Sequence, residues 1–599
     1  MNLSTLKSRL PQKHKPLWAA LFLCFVLLTG AGIGFLANHP FSENAKFEQY
    51  TKDLFRQEVA SNTLNLHYSL ANPEKLDIPS REVSLGTVAT DPKEVYKLCE
   101  TRENQLKDFS YSKLSRENQL TLDMLLLYYH TQRSLGDNYL LEEILGPSLG
   151  IQAQLPVLLA EYAFYRDEDI SDYLNLLKSV PAYFESILEF ENQKSEAGVF
   201  MSDETLERIL AQCAAFIENP DSNYMLEIFS QKLSDYGKFS EAEQKKLNAV
   251  HKELLCQEVL PAYQNLIDGL CALRGTGKSS RGLAGFPGGK EYYLYLIQSQ
   301  TGVYQPLARI EKRLASQLLK DMKEIQLMLR EQGSLASKVN GSVDLPDMEP
   351  DQVMEALREQ MKADFPELSD VSYEIRSVHP SMEDFLSPAF YLTPPLDTQS
   401  PNVIYINRGQ NPSNLELFTT LAHEGFPGHL YQTVSFGRKN PSHIRYLMDS
   451  SGYVEGWATY IESFAYGYAA AFLEDEAAVD VARLAWLNRS VNLCLFSLLD
   501  IGIHYHGWDL GETTQFLRTF GITELSAVGE IFQYIVETPA NYLKYYLGYL
   551  NFLDLRTACQ KRLGEDFDMV KFHESVLAIG PVQFPVLEKY LLQSLPRNS

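Results

Sequence analysis

Apolar positions recur at helical spacing through most of this chain. From about residue 44 to residue 265 the sequence is rich in Leu and Glu, follows an i, i+3, i+4 rhythm and carries no catalytic cluster, which predicts a helical lobe. The Gly- and Ser-rich stretch 274–289 is the clearest loop, and it divides the chain into a lobe at 43–285 and a second lobe at 286–599. A second polar stretch, 333–349, reads as another surface connection. In the second lobe, Ser413-Asn-Leu-Glu416 fits a capping box, and Leu417, Phe418 and Leu421 follow at helical spacing, so a helix should end near His423. Just before it, residues 390–395 read as a loop, and Val403-Ile-Tyr-Ile-Asn407 reads as a short strand at a sheet edge. Residues 17–36 form an uncharged, mainly apolar run, long enough to span a bilayer. The pattern therefore predicts a mainly α protein: two helical lobes, a small β-sheet beside the helix that ends at His423, and one N-terminal transmembrane helix.

That helix end carries the chemistry. Leu421-Ala-His-Glu-Gly-Phe-Pro-Gly-His429 places two imidazoles and a carboxylate within seven residues. In H-E-x-x-H, two His one turn apart bind Zn²⁺ and the Glu acts on the metal's water. Here the second His comes six residues after the first, which on a straight helix leaves the rings about 120° apart. Pro427 lacks an amide hydrogen and Gly428 tolerates almost any backbone conformation, so a break between them would swing His429 back. Taken alone, the motif also fits surface polarity plus a capping or core imidazole. A second helix shifts the balance: Glu455-Gly-Trp-Ala-Thr-Tyr-Ile-Glu462 offers a Glu to complete a two-His, one-Glu zinc site with a fourth position for water. Glu462, on the same face, either backs that site or is an ordinary surface carboxylate, the commoner case.

Further on, Asp500-Ile-Gly-Ile-His504 sets a carboxylate and an imidazole one turn apart. His504 would either donate to a developing oxyanion, be oriented by Asp500, or serve as a satisfied structural His. Pro539-Ala-Asn-Tyr-Leu-Lys-Tyr545-Tyr-Leu-Gly548 presents several phenols on a helix packed closely at Gly548, and one facing the metal would stabilise a tetrahedral intermediate.

In order and spacing, these segments resemble the bacterial domain-of-unknown-function family 885. The match runs from Gly289-Lys-Glu-Tyr-Tyr293 and Thr301 through Phe390-Tyr391, Tyr405-Ile-Asn407, His423-Glu424, Pro427-Gly428-His429, Gln432, Glu455-Gly-Trp-Ala, Tyr460 and Glu462 to Asp500, Gly502, His504, Trp508, Tyr545, Gly548 and Arg556. The resemblance implies a zinc-metallopeptidase-like fold, distantly similar to thimet oligopeptidase and thermostable carboxypeptidases. It implies Zn²⁺ bound by His423, His429 and Glu455, Glu424 as general base, and His504 and Tyr545 as oxyanion contacts. Two positions depart from the family pattern: Leu430 stands where many members have a second His, and Phe496 stands where an Arg is expected.

Charge and compartment narrow the function. Lys7, Arg9, Lys13 and Lys15 precede the apolar run with no acidic residue before Glu43, so segment 1–16 should stay cytoplasmic and the bulk of the chain should be exported, with a cleaved signal peptide as the alternative. Removing those four basic charges from the net −24 leaves the remainder at −28, which makes nucleic acid a poor partner. Cys99, Cys213, Cys256, Cys271, Cys494 and Cys559 show no metal spacing or disulfide framework and read as mostly buried thiols. Gly277-Lys-Ser279 does not make a P-loop, because the leading glycine would fall at Ala272 and helix precedes it. The expected function is a membrane-anchored, extracytoplasmic zinc peptidase acting on peptide substrates. The alternatives are an inactive peptide-binding scaffold of the same fold and a zinc amidase acting on cell-wall peptides.

Overall fold

The computed structural model describes residues 42–89, 91–339, 345–380, 383, 386–448 and 450–595. The apolar run at 17–36 lies outside the described residues. Among those described, no helix is long and apolar enough to cross a membrane.

Buried apolar side chains gather into two main cores. The smaller is built from Leu85 and residues 145–273, chiefly on helices Asp167–Ala197, Asp203–Ile217 and Leu260–Ala272. The larger joins residues 47–141 to residues 283–591. The expected lobe at 43–285 is thus split. Helix Arg116–Arg133 buries Leu122, Met124 and Leu125 in the core of the second lobe, because helical spacing fixes which face is apolar and not which neighbour covers it. All six described cysteines are free thiols, four of them buried.

The sheet has three strands, β1 (Glu374–Ser377), β2 (Ala389–Leu392) and β3 (Val403–Ile406), in the order β1-β3-β2. This corrects two expectations. The strand at 403–406 is central, parallel to β1 and antiparallel to β2, so its main chain is paired on both sides. The stretch expected as a loop instead supplies the edge strand β2.

Five helices build the candidate site: α1 (Asn414–Glu424), α2 (His429–Gly437), α3 (Ser451–Ala469), α4 (Ala478–Ile501) and α5 (Asn541–Leu563). α3 and α5 meet backbone to backbone. A Cβ placed on Gly548 would lie 2.2 Å from the Gly452 carbonyl oxygen and 2.5 Å from Gly456 Cα, so glycine is what permits the contact.

Candidate metal centre

α1 begins where Ser413 Oγ accepts the Glu416 N–H at 3.2 Å, and His423 falls in its last turn. The helix stops at Glu424, residues 425–428 turn without helical structure, and α2 begins at His429. Trp457 on α3 holds this break: its Nε1–H donates to the Pro427 carbonyl at 2.9 Å. A Cβ on Gly428 would sit 1.8 Å from the His423 carbonyl oxygen, so the chain can double back only with glycine there. The two imidazoles consequently face each other with ring centroids 4.7 Å apart at 86°.

Glu455 on α3 closes the cluster. Its Oε2 lies 3.6 Å from His423 Nε2 and 3.6 Å from His429 Nε2. Two atoms each about 2.1 Å from one ion at a tetrahedral angle are about 3.4 Å apart, so small movements would seat both pairs around Zn²⁺. One ligand atom from each of the three residues lies within 4.8 Å of the others. Two imidazole nitrogens and one carboxylate oxygen also form a donor set suited to that ion.

Neighbouring groups orient this set. His423 Nδ1 is 2.8 Å from Glu462 Oε1, and because a carboxylate only accepts, Nδ1 carries the proton and Nε2 turns to the cluster. Glu462 is only 5% exposed and also accepts from Arg489 Nε at 3.0 Å, so it backs the site and is not the surface carboxylate that is the commoner case. Glu424 Oε1 lies 4.0 Å from His423 Nε2, while its Oε2 accepts the Tyr391 N–H of β2 at 2.9 Å. One carboxylate oxygen is therefore pinned to the sheet and the other faces the cluster.

The electrostatics favour positive charge at this point. Burial alone would lower the pKa of His423, but hydrogen bonding to Glu455 and Glu462 and the charge of Glu424 raise it to about 10. Glu455 is buried, which opposes its ionisation, yet the two imidazoles hold it well below the usual carboxylate range. Glu462, likewise desolvated, is drawn down to about 2 by Arg489 and His423. The cation that satisfies these carboxylates can be a proton or a metal ion.

Tyr545, on the first turns of α5, lies beside the cluster with its ring centroid 6.5 Å from that of His423. Burial, reinforced by the charge of Glu455, raises its pKa and keeps the phenol protonated. His504 is placed elsewhere. It is fully buried, its Nδ1 accepts the Leu283 N–H at 3.1 Å and its Nε2–H donates to the Ile535 carbonyl at 2.8 Å. Both ring nitrogens are thus committed to backbone, which leaves no proton for an oxyanion and corresponds to the satisfied structural His. Asp500 does not orient it either. Its carboxyl accepts from the Tyr293 hydroxyl and from the Ala540 N–H at 3.0 Å, tying α4 to the residue just before α5. Arg489 carries no signal in the sequence, and Tyr391 and Tyr293 enter only through the family pattern, without a role. Their roles depend on burial and on neighbours distant in sequence, which no local spacing announces.

Two solved structures share this fold. A protein from Colwellia psychrerythraea, named only provisionally as a lipoprotein, has a TM-score of 0.79 at 18% identity, covering 91% of this chain and 99% of that one. Another from Shewanella oneidensis, provisionally a lipoprotein and of unknown function, has a TM-score of 0.58 at 15% identity, covering 92% and 99%. A provisionally named oligoendopeptidase F from Bacillus anthracis str. Ames reaches a TM-score of only 0.33 at 11% identity over 85% of this chain and 93% of that one, too weak a likeness to bear on mechanism. No curated protein matches the chain. Residues 89–591 match the family described as bacterial protein of unknown function (DUF885), and the chain belongs to that family.

Proposed function

We propose that this protein is a zinc-dependent peptidase. The observation that carries the reading is the convergence of His423, His429 and Glu455 with the carboxylate of Glu424 standing 4.0 Å from His423 Nε2. His423 Nε2, His429 Nε2 and a Glu455 oxygen would hold the ion, which when bound supplies Lewis acidity to a water and to the scissile carbonyl. Glu424 Oε1 takes the proton of the attacking water and passes it to the leaving amine, while the bond from Tyr391 N–H to Oε2 keeps the carboxylate aimed. The Tyr545 phenol donates to the oxyanion that forms on the carbonyl.

The sheet supports an extended peptide as substrate. The Asn407 N–H pairs with the Pro388 carbonyl, and the β2–β3 register matches Phe390 with Tyr405. Alternation then turns the main chain of Phe390 inward to β3 and that of Ala389 and Tyr391 outward. The outward edge is the one whose Tyr391 amide touches Glu424, so a chain pairing along it would pass the base. A tether at residues 17–36 with the rest of the chain outside the cytoplasm fits the basic flank that precedes it, and fits relatives provisionally named as lipoproteins.

The test is metal analysis of the purified full-length chain, then a peptide-library digest. About one zinc per chain is expected, with cleavage lost on chelation and restored by zinc. Glu424→Gln should keep the metal and lose about 10²- to 10⁴-fold in rate. A zinc-loaded chain that binds peptides and never cleaves them would be a scaffold, and cleavage confined to cell-wall peptides would make it an amidase.

A further inference from the structure

A separate cavity of about 450 Å³ opens between helix Arg116–Arg133, residues 439–445 and the helices Met569–Ile579 and Phe584–Ser594. It shares no residue with the metal centre. Arg116, Lys439 and Arg445 line it against a single carboxylate, Glu117, and Leu120 and Ile579 supply apolar wall.

Arg445 is the unusual member. It is only 5% exposed, one of its nitrogens donates to the Ile579 carbonyl at 2.5 Å, and its guanidinium lies 5.0 Å over the Phe436 ring. Its Nε nevertheless has no hydrogen-bond partner, and among the described residues no carboxylate forms an ion pair with it. Glu117 is the carboxylate whose charge reaches it, without an ion pair; burying a guanidinium unpaired is strongly unfavourable, and two more cations facing the same space make it worse. Within a chain of net charge −24, three cations less one carboxylate leave this cavity locally at +2. An anion resolves the conflict. A phosphate monoester carries about −1.5 to −2 at pH 7 with three acceptor oxygens, matching both the charge and the number of donors. The volume and the apolar wall exceed what inorganic phosphate fills.

We propose that this cavity binds an organic phosphate, with Arg445 beneath the phosphate, Arg116 and Lys439 at its rim, and Leu120 and Ile579 against the organic part. Arg116 already uses one nitrogen on the Tyr590 carbonyl at 2.8 Å, which fixes its side chain at the rim. Ser115, next to it, donates its N–H to Asn44 Oδ1 at 2.7 Å, so the rim adjoins a residue eight positions past Leu36, the end of the apolar run. A lipid headgroup and a soluble phosphate ester present the same chemistry there.

Calorimetric titration of the full-length chain in phosphate-free neutral detergent, with glycerol 3-phosphate, dihexanoyl phosphatidic acid and inorganic phosphate as probes, tests this. One ester should bind saturably, more tightly than inorganic phosphate, and at least about tenfold more weakly to the Arg116→Met/Lys439→Met double variant. Preference for the phosphatidic acid identifies a headgroup site, and preference for glycerol 3-phosphate a soluble ester. Arg445→Gln should lose binding too, but because it alters a buried residue the exposed rim pair decides. No saturable binding of either ester, binding unchanged in the double variant, or inorganic phosphate binding as tightly as the esters would each overturn the proposal.

Discussion

Glu462 accepts a hydrogen bond from the Nδ1–H of His423 at 2.8 Å from a position two helical turns beyond Glu455 on α3, so one helix supplies both a candidate ligand and the group that aims another. Removing the charge of such a partner while keeping its shape weakens metal binding by about 10- to 100-fold. Glu462→Gln should therefore bind zinc that much more weakly in a competition titration against a chromogenic chelator, with little change in unfolding midpoint when saturated with metal. An unchanged affinity would show that Arg489 or the helix itself fixes the ring.

The backbone contact between α3 and α5 holds that geometry. A single methyl at Gly548 would have to displace the Gly452 carbonyl or Gly456 Cα, which it would otherwise approach to 2.2 and 2.5 Å. Overpacking of this kind costs about 1 to 3 kcal/mol. Gly548→Ala should lower the urea midpoint with the slope unchanged, and should weaken zinc binding as well, because Glu455 and Glu462 move with α3. Full stability in the variant would mean that the helices part without penalty.

The local chemistry of the site is legible in the sequence. The Ser413 cap, the break at Pro427-Gly428, the approach of His429 to His423 and the tight packing at Gly548 all follow from what those residue types permit over a few positions. What escaped depends on partners far along the chain. His504 and Asp500 look like a catalytic pair at one-turn spacing, but Leu283 and Ile535 take the imidazole while Tyr293 and Ala540 take the carboxyl. β2 carries only four residues, too few for alternation to distinguish it from a loop, and its place at the edge is set by pairing with β3. Glu462 could be put on the right face of its helix, yet nothing in its spacing told whether protein or water would cover it.

Acid should weaken the fold through a buried imidazole outside the candidate metal cluster. His573 is fully buried and stacked 4.1 Å from Phe365; its Nδ1–H donates to the Asp364 carbonyl at 2.7 Å and its Nε2 accepts from the Tyr460 hydroxyl at 2.9 Å. Burial, helped by the Arg556 charge and opposed by the Asp364 bond, lowers its pKa to about 3. In the unfolded chain a His titrates near about 6.5, so below that pH the unfolded state binds a proton that the native state refuses. The contribution is complete above about 6.5 and is lost as pH falls towards 3, at up to about 1.4 kcal/mol per pH unit. His573→Gln should flatten the fall in unfolding free energy between pH 7 and 5 by up to that amount, whatever its cost at pH 8. A slope equal to that of the unaltered protein would mean that the imidazole ionises freely in the native state.

Tyr545 offers the sharpest separation of binding from chemistry. Its ring lies 6.5 Å from that of His423, its hydroxyl is kept protonated by burial and by Glu455, and Lys544 Nζ stands 5.3 Å from the same ring. A phenol so placed cannot act as a base at neutral pH, and what remains to it is donation of a hydrogen bond. If that bond is made to the oxyanion, it strengthens as charge develops and belongs to the transition state more than to the bound peptide. Tyr545→Phe should then lower kcat by about 10²- to 10³-fold while KM and zinc content stay close to those of the unaltered protein. The ring remains, so packing against the cluster is preserved and unfolding should shift little. A rise in KM with kcat unchanged would instead place the hydroxyl on the ground-state peptide, and no change in either constant would remove Tyr545 from the reaction while leaving the metal cluster as it stands.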